Sequence, residues 1–435
     1  MIGPVLLILL LLAIGFAASL HVGTTLGLTA LIAGLIYIGP VWDFFGQIPW
    51  TTNSSVTMTV VPLFVLMGEL LLRSGLTDDL YAALSRLVGR LPGGLLHSNI
   101  LASGVFAAVS GSSLATATTI GAVALPTMKQ HGYNERITLG SIAAGGTLGI
   151  LIPPSLIMIV YGLVAQVSIG DLYVAGIVPG LLMMVGFIGA ILVLSLFGEK
   201  GERTITRYSL REKLAGLVNI IPIALLIGLV IGTIYLGVAT ATEAAAYGAT
   251  GALVIAIVKR RLNWPMLKEA LISTAMTTGM ILFVVNAAFL LQFVLSFIGV
   301  PRALSHSILS LGLSSMELIL VICVIFILLG MVMDGLPIVV AVVPIFLPLL
   351  QAQGIDLVWF GILVVILIEL GLITPPVGMN LFVLQGVRHR LYGDAAGKMT
   401  DIVIGVLPFI IAMLVVLGLV IAFPQIAMGL VGAMR

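Results

Sequence analysis

Apolar residues run along this chain in long blocks, with polar residues gathered at short intervals between them. The blocks 2–20, 174–197, 214–235 and 402–423 carry no charged residue. A helix rises about 1.5 Å per residue, so roughly 20 such residues cross a hydrocarbon core of about 30 Å. The pattern predicts ten crossings, at 2–20, 24–40, 57–73, 137–165, 174–197, 214–236, 241–258, 270–298, 357–387 and 402–423. The leading run resembles a signal peptide but lacks a basic start, so it reads as a retained span. Two further apolar stretches, 97–128 and 316–350, do not fit as single spans. The serine-rich tetrapeptide Ser110 to Ser113 interrupts the first, and Met333 to Pro337 interrupts the second. Splitting the first leaves arms of about 14 residues, roughly 21 Å and too short to cross, which predicts a re-entrant helical hairpin. The second has longer arms, which also allow a pair of short spans. In 76–92, Leu76, Leu80, Leu84 and Leu87 share one helical face, predicting a helix that lies on the membrane surface.

Composition agrees with a polytopic membrane protein. The chain is 60% hydrophobic and 8% charged, where a soluble domain has about 25% charged residues. Cys323 is the single cysteine, which excludes an intrachain disulfide or a Cys–Cys metal site. The five histidines are scattered and suggest no structural metal. No Walker motif is present, so ATP hydrolysis is not expected. No nucleophile–base set stands out, so an enzyme is not expected, and neither is a nucleic-acid partner. Placement of charge matters more than the total of +2. With the N-terminus outside and each hairpin returning to its side of entry, 17 Lys and Arg fall on one side; only Arg302 and Arg435 fall on the other. That asymmetry marks the first side as cytoplasmic and puts both termini outside. The charged segment 198–213 is then a cytoplasmic linker between two halves.

Those halves repeat a motif. Pro153-Pro154 and Pro375-Pro376 lie 222 residues apart, as do Gly149 and Gly371, and Pro126 and Pro348. Each half reads as a hairpin followed by a proline-broken helix, and the predicted topology runs the two in opposite directions. Inverted repeats with discontinuous helices are a signature of secondary transporters. Proline has no N–H, so each pair leaves carbonyls without their usual partner four residues later. Gly149 and Ile150 are affected in the first half, Gly371 and Leu372 in the second. Such carbonyls need satisfaction at membrane depth, and a small cation at the negative helix end can supply it. Na+ suits an oxygen-only set of this kind. The hydroxyls of Ser110, Ser112 and Ser113 can complete the first seat, and Thr374 with the tip region 330–335 the second. The half-helices that restart at Ser155–Ile157 and Val377–Asn380 present N–H groups suited to an anion. Ser113, Ser155, Asp334, Gly378 and Asn380 are accordingly the candidate substrate contacts.

Other polar residues have plainer readings beside the functional one. Thr240 and Glu243 form a capping-box pattern, as do Ser209 with Glu212 and Ser314 with Glu317. Asp334 serves equally as an N-cap or an ion contact. Glu69 and Glu369 lie inside apolar spans, where an ionisable group is a functional candidate, although helical spacing turns Glu369 away from Gly371. Asn286 either lines a cavity or bridges two helices.

At "GGTLGILIPPS", "TATEAAAYGA", "MVMDGLPIVVAVVPIFLPL" and "ELGLITPPVGMNLFV" the sequence resembles the large membrane subunit of tripartite ATP-independent periplasmic (TRAP) transporters, over essentially the whole chain. The resemblance implies Na+-coupled import of organic acids in a bacterial inner membrane. An extracytoplasmic solute-binding protein would deliver a small carboxylate, and a small four-helix membrane subunit on a separate chain would brace this one. It implies an all-α membrane fold of the ion-transporter superfamily, with hairpins and broken helices moving as an elevator against a scaffold in the lipid bilayer. Carried over by motif, one Na+ seat takes Ser110, Ser112, Gly149, Ile152 and Pro154, and the other takes Gly330, Gly371, Thr374 and Val377. Family members often have Asn where this chain has Ser112. The implied division is scaffold and interfacial helices at 1–96, a first transport half at 97–165, and scaffold helices with the linker at 166–315. A second transport half at 316–390 and a C-terminal helix at 391–435 complete it. The alternative is a self-sufficient Na+-coupled anion carrier of the two-hairpin class; a channel and an intramembrane enzyme fit the repeat less well.

Overall fold

The computed structural model describes residues 2–88, 91–197, 210–301, 303 and 314–434, and all the regular structure among them is helical. Most of the linker, including Ser209, lies outside these residues, as does Arg302. The first group of helices is α1 (Ile2–Ala17), α2 (Val22–Tyr37), α3 (Trp42–Asn53), α4 (Val60–Arg73) and α5 (Leu76–Val88). Next come α6 (Leu95–Ser110), α7 (Ser113–Gln130), α8 (Glu135–Leu151), α9 (Leu156–Ala165) and α10 (Ile169–Phe197). Beyond the linker lie α11 (Leu210–Tyr235), α12 (Ala241–Val258) and α13 (Trp264–Ile298). The last group is α14 (Ser315–Gly330), α15 (Gly335–Ala341), α16 (Val343–Ala352), α17 (Leu357–Ile373), α18 (Met379–Tyr392), α19 (Met399–Ala422) and α20 (Gln425–Met434).

Local chemistry sets many of the starts. Asn134 caps α8 by accepting from the N–H groups of Arg136 and Ile137, and Asp356 caps α17 in the same way. The capping boxes Thr240–Glu243 and Ser314–Glu317 both form, so these glutamates serve their helix ends. Five described helices are long and apolar enough to span alone, and two bent pairs qualify jointly. Six of the ten predicted crossings correspond to these five helices and the first bent pair; α1, α2 and α17 have only 16 or 17 residues, and α11 qualifies only as a shorter apolar helix over Ile220–Tyr235.

The packing falls into two groups. α2 lies on α13, α4 lies on α12 and α13, and α11 lies on α5 and α12. In the other group α8 is central, with α6, α7, α10, α17 and α19 around it, while α14 lies on α17. Gly140 of α8 and Gly405 of α19 let those two backbones meet where a Cβ would collide. The groups touch where α4 and α5 meet α6, where α13 meets α15 and where α10 meets α11.

Both stretches expected to form hairpins are interrupted where the polar residues fall, the first into α6 and α7 and the second into α14, α15 and α16. The second is further divided, because α15 and α16 bend by 51° ahead of Pro344. α8 and α9 bend by 41° at the first Pro-Pro, and α17 stops at the second. α3 and α20 are elements that hydropathy did not predict. The leucine face of α5 departs from expectation: Leu80 and Leu84 are buried, and the helix packs on α6 and α11, so protein covers this face where lipid was expected.

Candidate functional site

Each hairpin tip is pressed against the proline break of its own half. At the first tip α6 ends on Gly111, in the left-handed region at φ +58, and Ser112 caps α7 through its hydroxyl. Only a residue without a side chain fits easily there. A Cβ on Gly149 would lie 2.5 Å from the Ser112 carbonyl oxygen, and one on Gly111 would lie 3.1 Å from the Pro154 carbonyl oxygen. α8 ends at Leu151, Ile152 turns extended, and buried Ser155 caps α9. The structure therefore brings Ser110, Ser112, Gly149, Ile152 and Pro154 into one neighbourhood.

Thr116 is an addition the sequence did not single out. Its hydroxyl donates to the Ser112 carbonyl at 2.8 Å and lies 2.9 Å from Ser110 Oγ, so it orders the tip from one turn below. Four-residue spacing from Ser112 was the available signal. Among the described residues no donor reaches the carbonyls of Gly149 or Ile150, as the missing proline N–H groups require.

The second tip repeats the contact with different atoms. Gly330, the last residue of α14, meets Gly371 so closely that a Cβ on Gly371 would collide with its backbone. The N–H of Gly378, at φ +60, donates to the Met331 carbonyl at 3.2 Å. Thr374 folds back on its own helix: its hydroxyl donates to the Leu370 carbonyl and its N–H to the Gly371 carbonyl. The Gly371 carbonyl, expected to be bare, thus has one donor in a tightened final turn and keeps its second lone pair. Gly330, Gly371 and Thr374 adjoin, with Val377 next to Gly378. Asp334 takes the capping role, accepting from the N–H of Gly335 at 2.8 Å. Both Pro-Pro bonds are cis.

The halves also interlock. α7 packs on α18, and α15 packs on α9. Asn380 Nδ2 donates to Ser113 Oγ at 2.7 Å in a buried bond between two candidate substrate contacts. Asn380 Oδ1 has no partner among the described residues. At this centre the described donors are hydroxyls, amides and backbone groups, the hard oxygen chemistry that suits an alkali cation. The restarting helices add N–H groups for an anion.

Two other candidates find side-chain partners, although Asn286 also lines an apolar pocket beside Phe45 and Phe283. Glu69 pairs with Arg73 at 2.9 Å and accepts from Ser273, and Asn286 bridges α13 to Asn53 of α3. Glu369 does not: it is fully buried, both oxygens lack a partner among the described residues, and it lies against the backbone of Ile150 and Leu151. A cavity of about 790 Å³ opens elsewhere, between the turn at Gln166–Gly170 and the turn at Ala239–Glu243, and its lining includes neither tip.

The sequence profile described as "Tripartite ATP-independent periplasmic transporter, DctM component" matches residues 5–426. Among relatives, the C4-dicarboxylate TRAP transporter large permease protein DctM of Pseudomonas aeruginosa is 34% identical over 87% of each chain. The sialic acid TRAP transporter large permease protein SiaM of Vibrio cholerae is 32% identical, over 94% of this chain and 95% of that one. The isethionate TRAP transporter permease protein DctMQ of Oleidesulfovibrio alaskensis is 33% identical over 97% of this chain but 65% of its own length. Among solved structures, the YdaH transporter of Alcanivorax borkumensis superposes with a TM-score of 0.62 at 17% identity, covering 91% of this chain and 90% of that one, a likeness of fold.

Proposed function

The chain belongs to the DctM component family of tripartite ATP-independent periplasmic transporters, and from that membership we propose that it couples inward Na+ movement to uptake of a small organic acid. Family membership makes it a multi-pass membrane permease of a transporter. The finer reading rests on one observation above all, that both tips press on the proline breaks at glycines, Gly111 and Gly149 in the first half and Gly330 and Gly371 in the second. Na+ is cargo here. Ser110, Ser112, Gly149, Ile152 and Pro154 would hold one ion, and Gly330, Gly371, Thr374 and Val377 another. The substrate carboxylate would meet Ser113, Ser155, Gly378 and Asn380, where helix N-termini face the same centre. Asp334, whose carboxylate accepts from the Gly335 N–H, is left out of that contact because an anionic side chain would repel the substrate carboxylate.

The moving block comprises α6–α9 and α14–α18. Packing supports adding α10 and α19, which lie against α8 and α17, although the sequence division places α10 in the scaffold segment and α19 in the separate C-terminal segment. The interlocked halves would travel as one elevator against α1–α5 and α11–α13, with the two repeats inverted and both termini outside the inner membrane. A separate small membrane subunit and a solute-binding protein complete the assembly, as the fused relative's greater length and the family's tripartite description support. A self-sufficient carrier is the less favoured reading, because its relatives are named as permeases of TRAP systems. Reconstitution in proteoliposomes with both partners tests the proposal. Uptake of a small organic anion should require an inward Na+ gradient and the binding protein; uptake indifferent to Na+ removes the coupling claim.

A further inference from the structure

Tyr81 lies on α5 and Asn99 on α6, so the hydrogen bond between them crosses from one packed group to the other. The Tyr81 hydroxyl donates to Asn99 Oδ1 at 2.8 Å, and Asn99 Nδ2 donates to Ser141 Oγ of α8 at 2.9 Å. Ser141 in turn donates to the Thr138 carbonyl at 2.8 Å. Asn99 and Ser141 have no exposure and Tyr81 has 3%, so the chain of bonds is dry from end to end.

The other contacts of α5 tie it to the scaffold. Only Ser74 and Gly75 separate it from α4. The Ala83 backbone packs on Gly216 of α11, where a Cβ would lie 3.4 Å away, and Asp79 pairs with Arg261 beyond α12 at 3.7 Å. The connection to α6 is longer, six residues that include Gly93 and Gly94, both at positive φ. Glycine tolerates backbone rotation that other residues resist, so the joint between the groups falls between α5 and α6. The Tyr81–Asn99 bond bridges that joint. Elsewhere along the boundary Met67 and Leu71 of α4 and Ala108 and Val109 of α6 line an apolar crevice. Apolar contact has no direction and survives sliding, because one apolar neighbour replaces another. A hydrogen bond does not survive: a slide of about 1 Å takes this pair out of range and leaves two buried polar groups unpaired.

Resting on the elevator reading above, we propose that Tyr81, Asn99 and Ser141 form a latch that holds the block in the position of this structure and opens at each stroke. It sets how much of the time the block spends there without touching ion or substrate.

The test reads that occupancy in the complete assembly in proteoliposomes. With Cys323→Ser as background, the rate at which a short bifunctional thiol reagent joins Met67→Cys to Val109→Cys reports how often the block occupies this position. Tyr81→Phe keeps the ring and removes the donor. It should lower the linking rate about fivefold, the equivalent of one buried hydrogen bond, and leave the Na+ concentration for half-maximal uptake unchanged. Asn99→Ala breaks the bond from the other side and should act alike, and both changes together should do no more than either alone. Ser85→Ala is the control, since it removes bonds to the Tyr81 and Ala82 carbonyls inside α5 and should leave linking at the wild-type rate. Wild-type linking in Tyr81→Phe and Asn99→Ala overturns the latch, and so do effects of the two that simply add. Equal slowing by Ser85→Ala also overturns it, by marking a general loosening of α5. Should one of the two variants fail to assemble, the other decides alone. Full-rate uptake by the linked protein overturns the elevator reading instead.

Discussion

Glycine at 149 and 371 acts by what it leaves out. The two tips approach their breaks so closely that a methyl group on either glycine meets backbone, which cannot swing aside as a flexible side chain can. Gly149→Ala must therefore push the Ser110–Ser113 tip away from the freed carbonyls. A displacement of about 1 Å in a site that depends on geometry costs on the order of 100-fold in rate. We expect Na+-driven uptake to fall by about that factor in Gly149→Ala and in Gly371→Ala, measured by initial rates of labelled substrate uptake. Gly189→Ala in α10 is the control: no atom lies within 4 Å of a Cβ there, and uptake should stay at the wild-type level.

Helix ends hold one end of the block together. Arg388 near the end of α18 donates to Glu135 at 2.9 Å and to the Lys398 carbonyl at 3.2 Å, and Asp401 at the start of α19 also takes Arg136 at 2.9 Å. Three helices meet there through one guanidinium. Glu135→Ala leaves that group buried with weaker partners. Because Glu135 itself is half exposed, the cost should be about 2 kcal/mol, between surface and buried ion pairs. The thermal unfolding midpoint in detergent should fall accordingly, while Na+ dependence persists. The sequence could not disclose this clasp, because Arg388 and Glu135 are separated by 253 residues and each looks like an ordinary interfacial charge. The same reason hid the Asn380–Ser113 bond and the reach of Glu369 to the first break. The Pro-Pro pairs, their glycines and the serine-rich tip were legible because their chemistry is local: a proline lacks its donor wherever it sits. α3 escaped notice because Pro49 and its polar residues dilute its apolar signal. The protein partners of the α5 face are not legible because amphipathic spacing shows that one face is covered without showing by what.

At the level of the whole molecule, the division into two packed groups predicts where motion can be stopped. Met67 of α4 and Val109 of α6 line one narrow crevice beside Pro154, across the boundary between the groups. With Cys323→Ser as background, Met67→Cys and Val109→Cys can be joined by a short bifunctional thiol reagent. Uptake should be arrested by the link and return when a cleavable link is cut; full-rate uptake by the linked protein refutes sliding between the groups. The outer surface of the block adds a different constraint. Leu181, Val185 and Val193 of α10 and Ile411, Leu414 and Val415 of α19 are exposed, greasy and on the block's outside. If these helices travel with their cargo, the ring of acyl chains that wets them must be sheared and rebuilt on every cycle, so the surrounding lipid becomes a working part of the machine. Reconstitution into bilayers of increasing acyl-chain length should then change turnover, while the Na+ concentration needed for half-maximal uptake stays constant.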